Sequence, residues 1–125
     1  MKLTAWVTIA TVLMYTWVFW NVGKARGAHN VPAPRTDGPI GFLVAMRVQT
    51  NTVEQMIIFL PLLWIAAFYS GDRIAAAFGA AWVVGRVVYA LGYYQEPKKR
   101  SAGFMISSVA TVSLLVAAVV GLIMH

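Results

Sequence analysis

The chain has 125 residues, no cysteine and only two histidines, His29 and His125, far apart in sequence. Charged residues make up 11% of it against roughly 25% in ordinary soluble domains, and its mean hydropathy is +0.72. Disulfides and thiolate metal sites are excluded, a His-based metal site within one chain is disfavoured, and a soluble fold this small could not hide so much apolar surface.

The first apolar segment is about Leu3–Val22, preceded by Lys2. It resembles a signal peptide in outline. However, it is as long as a bilayer-spanning helix, roughly 20 residues, and no small-x-small cleavage site follows the bulky Trp17, Phe19 and Trp20. It reads as a retained first span. A Gly- and Pro-punctuated loop follows, about Gly23–Pro39.

The second apolar segment is about Ile40–Tyr69, polar in its first half and carrying Pro61, which predicts a kink. The connection Ser70–Arg73 is so short that it forces an antiparallel hairpin, with Asp72 expected to cap the third helix. The third segment is about Arg73–Tyr94. Ala77, Ala81 and Gly85 recur along it at a spacing that lets helices approach closely, or that reflects chance in an Ala-rich helix. Gln95–Ser101 forms the third connection, in which Pro97 suits a first helical turn. The fourth segment is about Ala102–Met124. Membrane β-strands would be about ten residues long with strict alternation, which is absent.

The expected architecture is therefore all-α, an integral membrane four-helix bundle spanning residues 1–125 as a single domain. Both termini and the second loop share one side. The other side carries Lys24, Arg26, Arg35, Lys98, Lys99 and Arg100, against Lys2 and Arg73 on the termini side. The positive-inside rule places the first and third loops in the cytoplasm, at the inner membrane in a bacterium. The net charge of +6 is explained by this topology, and no nucleic-acid-binding signature is present. Tyr69, Tyr94 and Trp20 read as interfacial belt residues, and the other tryptophans as facing lipid or neighbouring helices.

Two polar stripes carry the functional signal. Arg47, Asn51 and Glu54 stand at i, i+4 and i+7 of the second segment, and Arg86, Tyr89 and Tyr93 at i, i+3 and i+7 of the third. Each set occupies one helix face. Both stripes approach loops on the same side, so they share one half of the bilayer. A structural ion pair is one reading, with Glu54–Arg86 better placed than Glu54–Arg47. Yet one carboxylate cannot neutralise two guanidiniums, and an unpaired intramembrane Arg costs at least roughly 2.5–3.5 kcal/mol. Water or an anionic ligand would relieve that cost. The spacing is compatible with an anion-binding pocket, with structural pairing, or with an ion path.

The block RVQTNTVEQ, followed by an apolar run with a proline, and the block GRVVYALGYYQEPKKR together resemble the membrane-associated proteins in eicosanoid and glutathione metabolism, the MAPEG superfamily. The resemblance covers nearly the whole chain. It implies a four-helix bundle that forms homotrimers, with glutathione bound as co-substrate between subunits within the membrane. It identifies Arg26, Arg47, Gln49, Asn51, Glu54, Arg86, Tyr89 and Tyr93 as glutathione-binding residues. Arg100 matches the basic residue proposed to stabilise the thiolate, with Tyr93 as a hydrogen-bond donor. Gln55 departs from the family pattern, where several enzymes carry Tyr. The implied function is a glutathione S-transferase or peroxidase acting on hydrophobic electrophiles that arrive from membrane lipid, without a metal. The family also contains non-catalytic members that bind lipids or partner proteins.

Overall fold

The computed structural model describes all residues, Met1–His125. The helices are α1 (Lys2–His29), α2 (Ile40–Ser70), α3 (Asp72–Gln95) and α4 (Ser101–Met124), with a short 3-10 turn at Pro97–Arg100 before α4. All four are long and apolar enough to cross a membrane. Large apolar side chains cover the outside, among them Trp6, Trp20, Ile57 and Ile123, each more than half exposed. Such a surface suits lipid or a neighbouring protein surface, not water.

Three of the four helices match the expected segments to within a residue at each end. The exception is α1, which continues to His29 and absorbs the first part of the expected loop. Gly23 and Gly27 have open space around them and adopt helical backbone without strain. Arg26 and His29 fall in the last turn, where positive charge complements the helix dipole. The true stop is Asn30, in the left-handed conformation at φ 55°, and the Val31 N–H donates back to the Arg26 carbonyl at 3.0 Å. Asn is one of the few residues that adopts this backbone cheaply.

Between α2 and α3 only Gly71 intervenes, at φ +116°, a backbone that disfavours side chains. Asp72 does not cap α3. Its carboxylate instead accepts hydrogen bonds from the Leu3 N–H (3.0 Å), the Thr4 N–H (2.8 Å) and the Thr4 hydroxyl (2.6 Å). It therefore caps the N-terminus of α1, which otherwise presents unsatisfied donors with positive partial charge. Because Asp72 is the first residue of α3 rather than the residue before it, its carboxylate is free to reach across. At the same end the Tyr69 ring meets His125 edge-on at 5.3 Å, and the Ser70 hydroxyl donates to the Ala117 carbonyl. The termini and the Gly71 connection thus share one end of the bundle. The first loop and the 3-10 turn lie at the other.

The core is held by shape, because lipid supplies no hydrophobic drive between membrane helices. Phe59 and Trp82 stack at 3.9 Å with an interplanar angle of 4°, and Leu63, Leu114 and Val18 are fully buried. The small residues that matter on α3 are not the expected series. Ala77 is exposed and Ala81 only partly buried. Gly85 is buried against α4, where a Cβ would sit 2.7 Å from the Ser107 backbone nitrogen. Facing it, a Cβ on Gly103 would collide with the Tyr89 backbone and the Gly85 carbonyl. The close α3–α4 approach therefore lies beside the polar stripe. α2 runs through Pro61, which sits on its exposed side.

Candidate functional site

Arg47 and Asn51 from α2, Tyr89 and Tyr93 from α3, and Arg100 from the 3-10 turn line one cavity of about 480 Å³. Ser101, Phe104 and Met105 at the start of α4 complete its wall. Helical spacing put the first four on two faces. The α3–α4 approach and the tight turn at Pro97 bring the fifth to them. That turn is itself close-packed, since a Cβ on Gly92 would strike the Lys99 carbonyl.

Arg86 lies behind the cavity rather than in it. It is fully buried. Its Nη2 donates to Asn51 Oδ1 at 2.7 Å and to Thr52 Oγ1 at 3.0 Å, and its Nη1 reaches Ser107 Oγ at 3.5 Å. Its guanidinium lies 4.1 Å from the centre of the Tyr89 ring. Its Nε and the nearby Trp82 indole N–H have no hydrogen-bond partner. Every group bonded to this guanidinium is neutral. Glu54, the partner that an ion-pair reading would give it, is exposed and not among them. A buried charge without a counter-ion is costly, and its field reaches far in a medium of low dielectric. The adjoining cavity is therefore biased toward anions before Arg47 and Arg100 are counted.

The contact also fixes Asn51. A guanidinium offers only donors, so the amide oxygen must face Arg86 and the amide NH₂ is left for the cavity that Asn51 lines. The aromatic wall is similarly ordered. Tyr89 and Tyr93 meet edge-to-face at 5.6 Å, and the Arg100 guanidinium lies 5.5 Å from the centre of the Tyr93 ring. Arg86, Tyr89, Tyr93 and Arg100 form a continuous run from the bundle interior to its mouth, with a cation at each end and two rings between. Each such contact contributes about 0.5–2 kcal/mol, more where water is absent. Arg100 also donates from Nη1 to the Pro97 carbonyl at 2.6 Å, which holds it over the opening.

Besides Arg86, three expected site residues are not brought into this cavity. Gln49 faces α1, where its Nε2 donates to the Tyr15 hydroxyl at 2.8 Å. Arg26 donates to the Arg35 carbonyl at 2.7 Å and the Val31 carbonyl at 3.3 Å, and lies 5.0 Å from the Phe42 ring centre. Glu54 points outward from α2. Sequence reasoning missed Thr52 and Ser107, the other acceptors for Arg86. Ser107 carried a signal, since it stands four residues from Gly103 within an apolar span, the spacing of a close-packed face. Tyr94, read as a belt residue, is half-buried. Its hydroxyl accepts from Asn21 Nδ2 at 3.1 Å, and its ring packs edge-on against Trp17 at 6.0 Å.

The cavity offers two guanidinium forks, an amide and two phenols, which suits an anion carrying carboxylates. The chain as a whole is similar to known proteins. The chain is 41% identical over 119 residues to an uncharacterized protein of Synechocystis, covering 95% of this chain and 87% of that one. It is 32% identical over 120 residues to mouse microsomal glutathione S-transferase 2, covering 96% of this chain and 82% of the relative. It is 36% identical over 123 residues to guinea pig leukotriene C4 synthase, covering 98% and 82% respectively. The model of the MAPEG family matches residues 4–120, from the first turn of α1 to near the end of α4. With four membrane-length helices, and with relatives aligned along nearly its full length, this chain is an integral membrane protein that belongs to the MAPEG family.

Proposed function

We propose that this protein is a glutathione S-transferase or peroxidase that binds glutathione in the cavity between α2, α3 and α4. The observation that carries this reading is the convergence of Arg47, Asn51, Tyr89, Tyr93 and Arg100 on one opening, backed by the uncompensated charge of Arg86. Family membership and relatives named as a glutathione transferase and a leukotriene synthase support it. Glutathione carries two carboxylates and one ammonium. Arg47 is a carboxylate clamp with a rigid, bidentate fork, and the Asn51 amide adds a donor beside it. The thiolate is the nucleophile, and an unperturbed thiol with a pKa of about 8.5 holds little of it at neutral pH. Arg100 is the group that lowers this value. A guanidinium beside sulfur favours the anion, and the Tyr93 hydroxyl donates to it.

In this reading the site is completed by a homotrimer. Gln49, Glu54 and Arg26 lie outside the cavity of their own chain, so in this reading they act across the contact between neighbouring subunits. Glu54 suits the ammonium of glutathione. The hydrophobic electrophile enters from lipid. The first and third loops face the cytoplasm, by the excess of Lys and Arg at that end.

Calorimetry on the purified protein is expected to show saturable glutathione binding, with ultraviolet absorbance of bound thiolate at neutral pH. Conjugation of a hydrophobic electrophile should be fast in the wild type and at least about tenfold slower in Arg100→Ala at neutral pH. The sign follows from the charge. Losing the guanidinium raises the thiol pKa toward its solution value, so the variant recovers rate as pH rises. No glutathione binding would overturn the proposal. Binding without turnover across a panel of electrophiles would leave a non-catalytic family member instead.

A further inference from the structure

A second cavity, of about 490 Å³, lies on the far side of Tyr93, between the ends of α1 and α3 and the start of α2. Tyr93 lines both cavities and is the wall between them. The polar groups of the second one are Asn21, Lys24, Tyr94 and Gln95, whereas Trp17 and Val44 are among its apolar walls. The volume is within the range of small-molecule sites, but the chemistry differs from its neighbour. It has no guanidinium. Its one cation is an ammonium, a compact point charge that suits phosphate as well as carboxylate.

The polar groups are graded along the bundle. Lys24 stands two turns beyond Trp17 on α1, about 10 Å closer to the loop end. The cation is thus at the mouth and the aromatic ring deeper in. The Tyr94 oxygen already accepts from Asn21, so its own hydroxyl proton is free to donate. This end of the molecule is also its most positive. Six of the ten Lys and Arg lie in residues 24–35 and 98–100, against Asp37 and Glu96, which leaves +4 of the net +6 there. Basic pockets between membrane helices at such an interface are recognised sites for anionic lipid headgroups.

We infer that this cavity binds the phosphate headgroup of an anionic phospholipid, with Lys24, Asn21 and the Tyr94 hydroxyl on the phosphate and the acyl glycerol against Trp17 and Val44. A zwitterionic lipid carries a positive choline beside its phosphate and gains less from a mouth of this charge. The inference stands independently of the thiol chemistry proposed for the other cavity.

Native mass spectrometry of the full chain tests it, released from detergent with phosphatidylglycerol and phosphatidylcholine at equal concentration. Wild-type protein is expected to retain phosphatidylglycerol in preference. Lys24→Gln, an exposed position where the fold is not at risk, should reduce that preference about fivefold, equivalent to about 1 kcal/mol for one basic residue. Lys2→Gln, at the opposite end, should leave it unchanged. Equal retention of the two lipids by the wild type would overturn the assignment. So would an unchanged preference in Lys24→Gln, an equal loss in Lys2→Gln, or inorganic phosphate binding as tightly as the lipid.

Discussion

The two ends of the bundle treat charge in opposite ways. Where the termini meet the Gly71 connection, the Asp72 carboxylate is matched by three donors from the first turn of α1, two of them backbone N–H groups. Its charge is used up in closing the structure. Toward the loop end, Arg86 is buried among neutral acceptors, with Arg47 and Arg100 facing the same cavity and no carboxylate lining it. There the charge is left over. The contrast separates polar residues that stabilise a membrane fold from those that are free to act on something else. The criterion is compensation, not polarity.

Four substitutions break or sharpen that contrast. Gly103→Val is expected to have the largest effect. Its side chain has nowhere to go against the Tyr89 backbone, so α3 and α4 must separate. Yield of folded protein and glutathione binding should be lost together, as seen by size-exclusion chromatography and calorimetry. A well-folded, glutathione-binding Gly103→Val protein would show that the α3–α4 approach does not build the site.

Arg47→Ala comes next. Loss of a charge-assisted contact of about 1.5–3 kcal/mol should weaken glutathione binding by about tenfold to a hundredfold, with thermal stability nearly unchanged, because Arg47 is exposed. Calorimetry beside a Tm measurement reads both. A matched fall in stability would place Arg47 with the structural charges and erase the distinction between the ends.

Arg86→Met separates the two roles most sharply. The variant loses the anchor of Asn51 and part of the cavity's potential, so glutathione affinity should fall by about fivefold. Its Tm should stay level or rise, because an uncompensated buried charge has been exchanged for an apolar chain of similar length. A steep fall in Tm would mean that the hydrogen bonds to Asn51, Thr52 and Ser107 outweigh the desolvation of the guanidinium. Asp72→Ala is expected to do the reverse and to have the smallest effect on function. It should lower Tm through loss of the α1 cap and leave glutathione affinity as it was.

Much of the molecule was legible in one dimension. The ends of α2, α3 and α4 followed from where apolar runs stop. The faces Arg47–Asn51 and Arg86–Tyr89–Tyr93 followed from helical periodicity alone. The misplaced end of α1 has a local cause. Gly23 and Gly27 read as loop signals because glycine is a weak helix former. Nothing in the sequence shows that Asn30, a few residues later, supplies the left-handed stop. Asp72 was misread for the opposite reason. Its position next to a helix start suggests a local cap, and only the folded chain brings another helix's donors closer.

Sequence by itself determined that the chain has four segments long and apolar enough to cross a membrane, because hydropathy and helix length are local properties set by the bilayer. It also determined which side chains are too polar to face lipid. Tertiary structure decided what each of them does. Helical periodicity fixes the direction of a side chain only about its own axis. The rotation and depth of each helix against the next are set by packing. Gly85 and Gly103 permit the α3–α4 approach that brings Arg100 beside Tyr93 and Ser107 toward Arg86, and the packing of α2 against its neighbours sets Asn51 on Arg86 and turns Gln49 toward α1.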